Sequence, residues 1–126
     1  TTDLTKKVFQ EDYDAIVLTD TNQKILWVSE GFRDMTGYSK KFAVGKRPSF
    51  LQGEETCKSV KNQIREELFY NHTFSGSLLN YRKNGDPYLC QISIFPIYDA
   101  KERLDNFIAF EKEIPVDKPR INTYLS

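Results

Sequence analysis

The sequence predicts an α+β fold in which a short strand pair opens the chain, helices fill its middle and three long strands close it. Three observations carry this. Ala15–Asp20 and Lys24–Val28 are rich in β-branched and aromatic residues and flank the turn-forming Thr21-Asn22-Gln23, which makes them a hairpin. Cys57, Val60, Ile64 and Leu68 recur at helical spacing, with Lys58, Lys61, Asn62 and Glu66 on the face toward water. Asn84-Gly85, a strong hairpin signal, joins two long runs at about 72–82 and 88–97, and a last run spans about 104–114.

In chain order, Leu4, Val8 and Phe9 fit one short amphipathic helix over about 3–12, outside the main fold. After the hairpin, Ser29 is placed to cap a helix carrying Phe32 and Met35 on one face, and Gly37 sits where a left-handed terminal residue is usual. Ser39 caps a second short turn that ends at Gly45. Gly45 and Gly53 bracket an irregular loop in which Pro48 fixes one backbone angle and Phe50 and Leu51 are apolar anchors. Glu54 and Glu55 then place two acids at the expected start of the long helix, where the helix dipole favours them. Pro115 and Pro119 end regular structure, so 115–126 reads as a linker behind a single domain with its core at about 13–114. The segment reads as part of a longer protein.

With 126 residues the chain holds one core. Eighteen basic and eighteen acidic residues cancel, which argues against nucleic acid as a partner of this domain. No apolar run approaches a membrane span, and no membrane partner is expected. Two cysteines, Cys57 and Cys90, form no disulfide framework, so a reducing cytosol is the expected location. One histidine, His72, and two distant cysteines do not make a metal site. No nucleophile elbow, phosphate-binding glycine loop or Cys-x-x-Cys is present, and the chain does not read as an enzyme.

Thr19-Asp20, Met35-Thr36-Gly37-Tyr38-Ser39, Phe50-Leu51-Gln52-Gly53, Asn80-Tyr81-Arg82-Lys83-Asn84-Gly85 and Phe107-Ile108 together resemble the PAS sensor domains, over about residues 13–114. Within that family the loop is similar to the light-oxygen-voltage branch. The resemblance implies a five-stranded antiparallel sheet with short helices and one longer helix packed on one face around a ligand pocket. In that branch the loop carries a Cys that bonds covalently to photoexcited flavin mononucleotide (FMN). Here Pro48 stands in its place and offers no thiol.

Carried over residue by residue, Gln52, Arg65 and Asn80 match the flavin-holding positions, whereas Arg47, Ser49, Cys90 and Glu111 do not. A Glu111 carboxylate would face the ring's carbonyl edge, and a lost phosphate Arg removes a charge-assisted contact. The candidate pocket residues are therefore Gln52, Arg65, Asn80, Cys90 and Glu111, with Cys90 a small buried hydrophobe. No stoichiometric cofactor is expected, and the pocket is expected to be filled by side chains or to have no assigned ligand. FMN, responding by photoreduction or redox change without an adduct, is the alternative.

Strand alternation puts Phe74, Gly76, Leu78 and Asn80 on the helix side with Cys90, Ile92, Ile94, Phe107, Ala109 and Glu111. The other face collects Ile16, Leu18, Leu79, Leu89, Phe95, Ile97, Ile108 and Phe110, more apolar area than a sheet normally leaves wet. The expected cover is a flanking helix or a second copy of the chain. These readings converge on a non-catalytic sensory or dimerisation module of a cytosolic signalling protein, such as a bacterial histidine kinase or transcription regulator.

Overall fold

The computed structural model describes residues 13–115, so the expected helix at 3–12 and nearly all of the linker lie outside the described residues. Five strands form one sheet: β1 (Ala15–Thr19), β2 (Ile25–Val28), β3 (Phe74–Tyr81), β4 (Pro87–Tyr98) and β5 (Leu104–Ile114). Their order is β2-β1-β5-β4-β3 and every neighbouring pair is antiparallel. Between β2 and β3 lie α1 (Gly31–Thr36), α2 (Lys40–Ala43), a 3-10 turn (Pro48–Leu51) and α3 (Lys58–Phe69).

Local chemistry explains the turns. Asp20 Oδ1 accepts from the amides of Asn22 and Lys24, closing the first hairpin. Asn84 Oδ1 accepts from Asp86 N, and Gly85 takes φ 92°, which suits a residue without Cβ. Gly37 ends α1 at φ 81°, and Ser39 Oγ accepts from Phe42 N as the cap of α2.

Two expected caps are corrected. Ser29 does not cap α1: its hydroxyl accepts from Ile16 N at 2.8 Å while its amide donates to Ile16 O, so it lengthens the β1–β2 pairing. The long helix starts at Lys58 instead of Glu54, and no acid occupies its first turn. The reason is Thr56, 4% exposed, whose hydroxyl donates to Leu79 O at 2.7 Å and accepts from Gly53 N at 2.9 Å. That double bond holds 53–56 against β3 as a turn, and leaves Cys57 exposed instead of on the helix's apolar stripe.

The core lies between the helices and one face of the sheet. Phe32 and Met35 of α1, Ala43 of α2, Leu51 and Leu68 pack with Val17, Ile25, Leu78, Cys90 and Phe107. Burying each large side chain contributes roughly 1.5–3 kcal/mol. Arg82 joins the layers: its guanidinium donates to Met35 O at the end of α1 and to Glu113 near the end of β5. On the opposite face the eight expected apolar residues are half-buried, except Phe110, which is fully buried between Tyr13 (centroids 5.0 Å apart) and Phe95 (6.0 Å). Among the described residues no helix is long and apolar enough to cross a membrane.

Candidate functional site

Between the sheet's inner face, α3 and the 3-10 turn is a cavity of about 630 Å³, lined in part by Val17, Leu51, Ile64, Leu68, Leu78, Ile92, Ile94 and Phe107. Its size falls within the range of small-molecule pockets. The expectation of a space filled by side chains is therefore corrected. The inner-face residues lining it are of modest size, Ile92 and Ala109 among them, and Pro48 and Ser49 add little bulk from the loop.

Of the five residues singled out from the sequence, Gln52, Arg65, Asn80 and Glu111 line this cavity. Cys90 is fully buried in the sheet beside Glu111 and does not line it. Register explains the grouping. Leu78 pairs with Cys90 and Cys90 with Glu113, so Asn80 and Glu111 each stand one inward-facing position away, on opposite diagonals across β3, β4 and β5. The three polar side chains form one oblique row across the floor.

The row's electrostatics follow from burial. Glu111 is 3% exposed, and desolvation pushes its carboxyl from 4.5 up to about 7, against a smaller opposing pull from the Cys90 hydrogen bond. Burial pushes the Cys90 thiol far above its ordinary range, so it stays protonated and donates to Glu111 Oε1 at 3.7 Å. Tyr88, the register partner of Asn80, is likewise raised by burial. Asn80 Oδ1 and Tyr88 OH are buried without a hydrogen-bond partner in the structure, an arrangement that native interiors rarely leave uncompensated.

Cationic groups lie elsewhere on the wall. Lys61 and Arg65, one turn apart on α3, line the cavity with Arg47. Arg47 Nε donates to Asn22 O at 3.0 Å, and none of the three forms an ion pair with an acid among the described residues. Lys61 was expected on the solvent face; here it is half-buried and lines the cavity, whereas Arg65 is exposed. Tyr88 and Thr56 were not singled out from the sequence. Alternation at the start of β4 could have found Tyr88, two residues before Cys90, but nothing local marks Thr56.

Among the described residues no group of His, Cys, Asp and Glu could hold a metal. Cys57 is the exposed thiol, drawn below its usual pKa mainly by the Ser59 hydroxyl 3.1 Å away, and it does not line the cavity.

Comparison with known proteins agrees with this architecture. The chain is 36% identical over 105 residues to a blue-light photoreceptor of Listeria innocua, a match that covers 81% of the chain and 41% of that protein. It spans 12% of the two rice phototropins it also matches. Among solved structures, the light-state LOV domain of the blue-light photoreceptor Aureochrome1 superposes with TM-score 0.81 at 28% identity, covering 95% of this chain and 98% of that one. The PAS domain of the fruit-fly ELK potassium channel gives TM-score 0.77 at 30% identity, covering 90% of this chain and 96% of that one. The sequence pattern of the PAS domain family matches residues 14–114, and with the five-stranded sheet this establishes that the chain belongs to the PAS domain family, with LOV domains among its relatives.

Proposed function

We propose that this chain is a non-catalytic sensory and protein-interaction module of a larger cytosolic signalling protein, and that it does not signal by a covalent flavin adduct. One observation supports this most: the cavity floor and the outer apolar face share β5, with Glu111 turned inward and its neighbour Phe110 turned outward. A change in what Glu111 contacts is transmitted to Phe110 through one peptide unit. The output then passes to a flanking helix or a second copy of the chain seated on Ile108 and its neighbours, which requires two arrangements of different free energy.

Against adduct chemistry stands the placement of thiols. Pro48 occupies the loop that covers the cavity, Cys57 lies outside it, and Cys90 sits behind Glu111 as a protonated thiol. A thiol in that state is a poor nucleophile. The second reading, a receptor that binds FMN and responds by ring reduction, is favoured by the cavity's volume and by Gln52, Asn80 and Arg65 within it. The floor fits that ring incompletely. A flavin's pyrimidine edge presents two carbonyl oxygens, and the buried Glu111 can donate to one only while it is protonated.

The test is an absorption spectrum and an intact mass of the chain supplied with FMN, before and after blue light. The expected result is no reversible bleaching and no covalent mass increase. Bleaching that recovers in the dark, with protein mass increased by that of FMN, would refute the reading.

A further inference from the structure

We infer that the polar end of the cavity receives the N–H donor edge of an anionic 2-amino-oxopyrimidine heterocycle, of the guanine or pterin nucleotide class, with Glu111 and Asn80 accepting from the ring. This deepens the reading of the chain as a ligand-responsive sensory module and rests on it.

Glu111 carries the argument. It is buried on the cavity wall, and its hydrogen-bond partner is the Cys90 thiol, a weak donor at 3.7 Å. The titratable groups facing it are Cys90 and Tyr88 from β4 and, around the cavity, Lys61 and Arg65 from α3 and Arg47 from the loop. From the β1 side Ala15 and Val17 lie beside it, and Asp14, just before the strand, donates its amide to Glu111 O at 2.9 Å. No cation among the described residues pairs with this carboxyl. Above about pH 7 Glu111 is ionised, and a carboxylate accepts and cannot donate, so in that range what completes it must bring N–H groups.

Asn80 Oδ1 is the second, independent observation. It is an amide oxygen buried at the other end of the floor row without a hydrogen-bond partner among the described residues, and the hydroxyl of Tyr88, its register partner on β4, is likewise without one. A buried acceptor of this kind marks where a ligand donor sits. Lys61, Arg65 and Arg47, unpaired with acids, supply the opposite need, an anion on the ligand.

These demands select an edge. In a 2-amino-oxopyrimidine the ring N–H and the exocyclic amino group lie side by side, spaced to meet both oxygens of one carboxylate, and the second amino hydrogen remains for an amide oxygen. A flavin edge, with a single N–H between two carbonyls, presents an acceptor to Glu111 unless that residue is protonated. A purine or pterin ring with a phosphate also fits within about 630 Å³. The two ligand types therefore have opposite pH dependence. Donor-edge binding releases a proton from Glu111 and strengthens as pH rises through about 7, whereas carbonyl-edge binding weakens.

The experiment is calorimetric titration of the whole 126-residue chain with GMP, IMP and FMN at about pH 6 and about pH 8. IMP lacks the 2-amino group. The expected result at the higher pH is GMP tighter than IMP by at least about tenfold, as for one lost charge-assisted hydrogen bond, with the preference shrinking at the lower pH. Glu111→Gln should abolish both the preference and its pH dependence while circular dichroism stays native. Equal binding of GMP and IMP, FMN tighter than GMP at about pH 8, or no heat from millimolar GMP would each overturn the inference. Tight FMN binding without a covalent adduct removes this inference alone and leaves the sensory reading standing; an adduct removes both.

Discussion

Nη2 of Arg82 lies 2.7 and 2.8 Å from the two carboxylate oxygens of Glu113, tying the residue after β3 to the far end of β5 across β4. The same guanidinium donates to Met35 O and stacks 4.6 Å from the Tyr88 ring. Helical layer, edge strand and central strand thus meet on one side chain. Because the pair is only partly buried, its charge term is screened, and what matters more is the carbonyl of Met35 left without its donor. Arg82→Ala should lower stability by about 1–3 kcal/mol in urea denaturation, and Arg82→Lys should restore only part of it, since an ammonium cannot span both partners.

Glu111 makes stability depend on pH in an unusual direction for an acid. Its folded pKa of about 7 lies above the ordinary 4.5, so the folded state holds the proton more tightly than the unfolded one. The contribution is fully present below about 4.5 and is lost as pH rises toward about 7. Wild-type chain without ligand should therefore lose about 3 kcal/mol from this group across that window, to order of magnitude. Glu111→Gln should flatten the profile and exceed wild type in stability at about pH 8, as measured by denaturation at a series of pH values.

Thr56 is where the loop over the cavity is fastened. Its hydroxyl is simultaneously donor to Leu79 O and acceptor from Gly53 N, and Tyr81 OH accepts from Glu55 N at 3.0 Å nearby. Thr56→Val keeps the shape and removes both bonds. A loss of about 1–3 kcal/mol is expected, with faster hydrogen exchange at the Gly53 amide and unchanged exchange in β5. Uniform exchange across the chain would show that Thr56 supports the fold as a whole and not this loop.

The sheet was legible because its strands alternate cleanly and their turns carry strong local chemistry. Asp20 and Asn84-Gly85 close hairpins through their own side chains and backbone angles, so β1 to β5 fall within two residues of expectation. The start of α3 was not legible, since Glu54 and Glu55 satisfy every local rule for a helix start. They are overruled by Thr56, whose partner Leu79 lies 23 residues away. The pocket's lining was found by family likeness at Gln52, Arg65 and Asn80, but its openness was not, because cavity volume depends on how α3 seats over β3. Glu111 was read from its residue type as an anion. Burial, offset only in part by the Cys90 hydrogen bond, raises its pKa to about 7.

The outer face yields the prediction that bears most directly on signalling. Leu18, Ile108 and Phe95 are successive register partners across β1, β5 and β4, and each is half-buried. Next to that row Phe110 is fully enclosed, so it serves as a fixed floor and the docking area is carried by Ile108 and its row. If a second copy seats there, light scattering should show a mass that rises with concentration, and Ile108→Asp should return it to that of one chain with far-ultraviolet circular dichroism retained. The substitution would place a charge between two apolar cross-strand neighbours, a cost of several-fold to a hundredfold in association. A wild-type mass that stays that of one chain at all concentrations would rule out the second copy and leave a flanking helix as the occupant. In that case Ile108→Asp should instead speed exchange in β5 and lower the melting temperature, because the intramolecular cover would be lost.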